Sequence, residues 1–159
     1  MINVLPIATT MLAALLSIEP LHLDGYAALT PAFTLMATYY WTIYRPDLLS
    51  APLLFLIGTI QDLLSGGLPG ETAVTLLLAR AILLPQRHYF VDRRFPFIWA
   101  GFTLLTGGAV LFSWALHSLL AAELLDLRGP VLRAVLTISA FPIASFLLGR
   151  SQRALIGAD

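Results

Sequence analysis

Residues 97–120 read FIWAGFTLLTGGAVLFSWALHSLL, twenty-four positions without one Asp, Glu, Lys or Arg. The hydrocarbon core of a bilayer is about 30 Å thick and takes roughly 20 apolar residues of helix to cross. This run is long enough, and Pro96 stands just before it, where a missing N–H costs a helix nothing. Working outward, five further apolar stretches fill most of the chain, at 4–18, 26–44, 51–64, 72–90 and 130–148. The expected fold is an all-α integral membrane protein, a six-transmembrane-helix bundle in one domain over residues 1–159. Several stretches are short for a crossing, which thinning of the bilayer or snorkelling of flanking residues accommodates. The third and fourth flank SGGLPG at 65–70, a tight turn between the arms of a spanning hairpin or of a re-entrant pair.

Composition points the same way. Of 159 residues, 58% are hydrophobic and 11% charged, too little polar surface to cover a water-soluble fold of this size. The nine basic residues are all Arg and nine acidic ones balance them, so no basic face exists to attract nucleic acid. The absence of Cys excludes disulfides, thiolate metal sites and a Cys nucleophile. The N-terminal run has no preceding Lys or Arg and no small-x-small cleavage signature, so it reads as a retained first helix.

Boundaries are punctuated by Ser50 before Pro52, by Pro96, by Pro130, and by Gly149 as the close of the sixth helix. Pro31 and Pro142 fall inside stretches, where a membrane helix tolerates a kink. Arg45, Arg87, Arg93, Arg94, Arg150 and Arg153 lie in alternate connections and the tail; Glu19, Asp24, Glu71, Glu123 and Asp126 lie in the others, with Arg128. Arg is retained on the cytoplasmic side, so both termini are expected there. Tyr39, Tyr40, Trp41 and Tyr44, directly before Arg45, suit an aromatic belt at the headgroups.

The polar residues inside stretches need a reason. A carboxylate at membrane depth is costly unless paired, hydrated or protonated. Asp62 therefore either fixes the following turn by accepting from the N–H groups of Ser65–Gly67 or from Arg80, or sits solvated at the interface, or relays a proton or ion. Arg80, nine residues past Glu71, belongs near the bilayer centre and should face the bundle or a partner helix, or snorkel; Arg133 should snorkel outward. Gly101, Gly107, Gly108, Ala109 and Ser113 give the fifth helix a small-residue surface, for packing in the bundle or for docking a partner helix. His22, His88 and His117 lack an i, i+4 His pair or a carboxylate companion and read as interfacial, with no metal site. No phosphate loop, dinucleotide fingerprint, nucleophile elbow or zincin helix is present, so the chain is not expected to be an enzyme or to hold a cofactor.

The run W-x-x-Y-R-P-D at Trp41–Asp47, followed by G-T-I-Q-D-L-L-S-G-G-L-P-G at Gly58–Gly70, resembles the rod shape-determining MreD family. There a Trp and an Arg-Pro close the second helix, and G-x-x-x-D-x-x-x-G-x-x-x-G marks the third helix and its turn. The matching positions are Trp41, Arg45, Pro46, Gly58, Asp62, Gly66 and Gly70, with Gln86 after the fourth helix also in keeping. Pro69 and Glu71 depart from the pattern, which leaves the turn geometry open. The resemblance implies a fold like the S component of energy-coupling-factor transporters. It also implies a non-enzymatic place in the elongation complex of the bacterial inner membrane, beside MreC, MreB, RodA and a class B penicillin-binding transpeptidase. Candidate structural or partner-binding residues are those seven with Arg80, Gly107 and Gly108. A groove with small residues and aromatic rims suits a vitamin as readily as a helix, so the substrate-binding component of a vitamin-type transporter is the alternative.

Overall fold

Apolar runs separated by Gly and Pro produce helices and little else. The computed structural model describes residues 4–18 and 30–156, with side chains to 154. Among the described residues there are six α-helices and no strand: α1 Leu5–Ile18, α2 Phe33–Tyr44, α3 Ala51–Ser65, α4 Glu71–Val91, α5 Phe95–Ala121 and α6 Arg128–Ile156. A 3-10 turn, Pro46–Leu48, joins α2 to α3. Glu19, His22, Asp24 and the first residues of the 26–44 stretch lie outside the described residues.

The shortest helix is the centre. Every residue of α2 from Thr34 to Ile43 is buried, and α1, α4, α5 and α6 pack around it. This corrects the aromatic belt. Tyr39 (0% exposed) donates to the Ile98 carbonyl at 2.7 Å, Tyr40 to Gln152 Oε1 at 3.0 Å, and Trp41 (1%) to Thr9 Oγ1 at 2.9 Å. Each ring buries its apolar body and finds its polar tip a partner within the bundle, which serves as well as the headgroup level. Tyr39 also stands edge-on to Phe90, Phe102 and Phe141. The belt therefore gives no support to the expected orientation.

Further boundaries differ from expectation. Pro31 precedes α2 rather than kinking it, its carbonyl accepting from Phe33 N–H at 2.9 Å. Gly149 does not end α6, which continues to Ile156; a Cβ there would come within 3.3 Å of the Tyr40 hydroxyl, so this glycine makes room for α2. Ser50 stands at the N-cap of α3, yet its hydroxyl makes no capping bond; its carbonyl takes Leu54 N–H at 3.1 Å. Pro142 does lie inside α6.

Among the described residues two helices, α5 and α6, are long and apolar enough to cross a membrane, with mean hydropathies of 1.7 and 2.0. The fourteen residues of α1 and fifteen of α3 reach about 21 and 22 Å at 1.5 Å per residue, less than a bilayer core. Contacts alternate in direction: Trp41 meets Thr9 while Thr34 meets Ser17, and Trp99 meets Ile138 while Trp114 meets Leu125. One end of the bundle thus gathers the starts of α2, α4 and α6 with the ends of α3 and α5. Arg45, Arg87, Arg93, Arg94, Arg150 and Arg153 belong to the other end.

Candidate functional site

The α3–α4 hairpin is held at three levels. At its tip Asp62, 4% exposed, spreads its carboxylate over the start of α4: Oδ2 accepts from Gly70 N–H at 2.9 Å, and both oxygens accept from Thr72 N–H, at 3.1 and 3.2 Å. Gly70 is the N-cap of α4, so a residue of the preceding helix satisfies two donors that α4 cannot satisfy itself. Gly66 (φ 68°) and Gly70 (φ 91°) take the left-handed conformation that brings the chain back to this carboxylate. The donors are not those of Ser65–Gly67, nor Arg80; a carboxylate one turn inside α3 points past the near side of the turn to its far side.

Midway, Gly58 faces Ala73 so closely that an added Cβ would stand 2.4 Å from Ala73 Cα. At the far level Arg80 Nε donates to the Leu49 carbonyl at 2.8 Å, closing the strap between α2 and α3 over α4. Trp41 pins α1. Pro46 is buried, and half-buried Arg45 donates its backbone N–H to the Trp41 carbonyl at 2.7 Å. These residues form one stapled corner over α1 to α4.

Gly107 and Gly108 belong elsewhere. A Cβ on either would meet nothing within 4 Å, so among the described residues no other helix closes on them, whereas one on Gly101 would strike Phe90 at 2.6 Å and the Tyr39 hydroxyl at 2.7 Å. The small-residue surface of α5 divides accordingly: Gly101 receives α2 and α4, and Gly107 and Gly108 face outward.

A cavity of about 460 Å³ opens at the end of the bundle away from the Arg-rich end, between α2, α4, α5 and α6. Glu71 opens α4, where a carboxylate suits the positive end of the helix dipole. It accepts from the Ser113 hydroxyl, and its Oε2 lies 3.5 Å from His117 Nε2. His117 therefore has the carboxylate companion that its sequence neighbourhood lacks. Ser113 and His117, four apart on α5, share a face, and Glu71 at a helix start was the remaining cue. Arg133 is exposed, as a snorkelling side chain is, and its Nε donates to the Thr30 carbonyl at 3.0 Å. Because the Ser113 hydroxyl goes to the carboxylate and not to the imidazole, the trio lacks the wiring of an activated serine. Among the described residues no three His, Asp or Glu converge as metal ligands.

An all-helical chain with long uncovered apolar helices, a stapled corner and a polar cavity is a membrane-bundle protein built around packing. The sequence profile of the family described as rod shape-determining protein MreD matches residues 1–148, and the chain belongs to that family. It is a family of membrane proteins and structural components of rod-shape determination. No curated protein and no solved structure matches the chain.

Proposed function

We propose that this protein is a non-enzymatic scaffold of the rod complex in the bacterial inner membrane, binding the transmembrane helix of MreC and so helping to control cell shape and peptidoglycan synthesis. The observation that carries the reading is the bareness of α5 and α6. Only 17% and 11% of their most apolar windows is buried by the rest of the chain. Large side chains such as Leu104 and Leu111 project from α5 beside Gly107 and Gly108. In a bilayer apolar exposure alone drives no association, but small residues let a second helix approach closely. The stapled corner of Trp41, Arg45, Pro46, Gly58, Asp62, Gly66, Gly70 and Arg80 then serves as the rigid base from which that face is presented.

In this reading all six helices cross, the short ones through locally thinned bilayer, and both termini lie in the cytoplasm beside the Arg-rich end. MreB would be engaged there, and RodA and the class B transpeptidase through MreC or within the membrane. The family resemblance also implies an S-component-like arrangement of the six helices. The test is co-expression with MreC and affinity purification in detergent. Wild-type protein should retain MreC, and Gly108→Leu, which fills open space without touching the bundle, should release it. Failure of folded wild-type protein to retain MreC would end the proposal.

A further inference from the structure

The cavity between α2, α4, α5 and α6 lies apart from the Gly107–Gly108 face, and among the described residues Arg133 and His117 keep polar atoms without a protein hydrogen bond. We propose that it binds a small zwitterion, with an anionic oxygen group on Arg133 and a primary ammonium between Glu71 and His117. This does not depend on the scaffold reading.

The size is right: about 460 Å³ falls within the roughly 300–1,000 Å³ of small-molecule sites. The anionic half follows from Arg133. Its Nε is committed to the Thr30 carbonyl, and its terminal amino groups, on an exposed residue at the cavity mouth, make no hydrogen bond among the described residues. A guanidinium edge of this kind suits a carboxylate or a phosphate.

The cationic half follows from His117. Its Nδ1 lies 2.8 Å from the Ser113 carbonyl, which can only accept, so Nδ1 carries the hydrogen. In the neutral ring Nε2 is then a lone pair, and it faces Glu71 Oε2 at 3.5 Å. Two acceptors this close suit one donor group that reaches both from the cavity side, and a primary ammonium, with three N–H groups, supplies one to each and keeps one. Glu71 and Arg133 line the same cavity, so the two poles share one field. A simple anion would be repelled by Glu71 and Asp126 and a simple cation by Arg133, whereas a zwitterion answers both. Leu76 and Val110 line the apolar wall for the short carbon link.

The same chemistry is found in the phosphoethanolamine headgroup of a membrane lipid and in a free amino acid. Delipidated full-length protein in detergent would be titrated with O-phosphoethanolamine, glycine and O-phosphocholine, following thermal stability. In parallel, native mass spectrometry would record whether lipid with an ethanolamine or a choline headgroup is retained. Phosphoethanolamine or glycine should stabilise the protein, and phosphocholine, which keeps both charges but has no N–H, should not. Arg133→Gln and Glu71→Gln should each weaken binding at least about tenfold, the loss expected for one charge-assisted hydrogen bond. Should Glu71→Gln fail to fold, Arg133→Lys, which keeps the charge and loses the fork, must still weaken it. Selective retention of the ethanolamine lipid identifies a lipid source, and stabilisation by glycine without lipid selectivity a soluble one; either supports the site. Binding of no probe, which would mean that a proton alone bridges Glu71 and His117, overturns it. Equal binding of phosphocholine, or binding unchanged in the variants, does the same.

Discussion

Replacing Asp62 by Ala removes the acceptor of two backbone N–H groups, Gly70 at 2.9 Å and Thr72 at 3.1 Å, from a position 4% exposed. A hydrogen bond to a charged group contributes about 1.5–3 kcal/mol net. Ser65–Gly67 and Pro69 at the turn are exposed, so water reaches the freed donors and the lower figure applies to each. The sum is about 3 kcal/mol. For a chain of this length about 1 kcal/mol moves Tm by roughly 2–4 °C, so Asp62→Ala should melt about 6–12 °C below wild type in one detergent. Asp62→Asn keeps one acceptor and loses the charge, and should fall about halfway. Circular dichroism melts check the magnitude. Hydrogen exchange checks the place, because the amides of Gly70 and Thr72 should exchange faster than those deeper in α4. In the scaffold reading, MreC retention should weaken as the corner loosens. A melt within ~0.5 kcal/mol of wild type, the scale of an ordinary surface change, with unchanged exchange at both amides, would refute the reasoning.

Gly58→Ala must push a Cβ to 2.4 Å from Ala73 Cα, so α3 and α4 separate and stability should fall by about 1–3 kcal/mol in denaturant or thermal unfolding. Gly107→Ala and Gly108→Ala meet open space, and the same assay should find them within ~0.5 kcal/mol of wild type or slightly above it. Trp41→Phe removes the N–H that reaches Thr9 and should cost about 1 kcal/mol or more, read as a lower Tm with α1 exchanging first. Arg80→Met keeps an apolar stem but strands the Leu49 carbonyl; a loss of about 1–3 kcal/mol is expected, with proteolysis of the strap at residues 45–50 as a local readout.

Side chains read singly in the sequence kept their neighbourhood and often lost their assigned partner. Asp62 binds backbone N–H groups of the following turn region, but those of Gly70 and Thr72 rather than Ser65–Gly67, because the left-handed glycines swing the start of α4 over the carboxylate. Arg80 reaches a carbonyl in the strap thirty-one residues earlier. Tyr39 and Trp41 have the same composition at a headgroup and in a core that satisfies their polar atoms, and only neighbours distinguish the two. Taken singly, Glu71, His117 and Arg133 read as a loop acid, an interfacial ring and a snorkelling cation. Their meeting in one cavity depends on how α4, α5 and α6 lie together, which no local spacing encodes.

Local sequence carries the helical, apolar character of the chain, the turns at 45–50 and 65–70, and through Trp41–Asp47 and Gly58–Gly70 the family to which it belongs. These follow from hydrophobic length, from Gly and Pro stereochemistry and from short-range spacing, all local properties of the chain. The tertiary structure alone decided that the shortest helix is the core, that Gly58 and Gly101 are packed while Gly107 and Gly108 are bare, and that a polar cavity forms at one end. Those outcomes depend on which faces meet, and a face that is uniformly apolar carries no mark of whether it will meet lipid, a partner or its own chain.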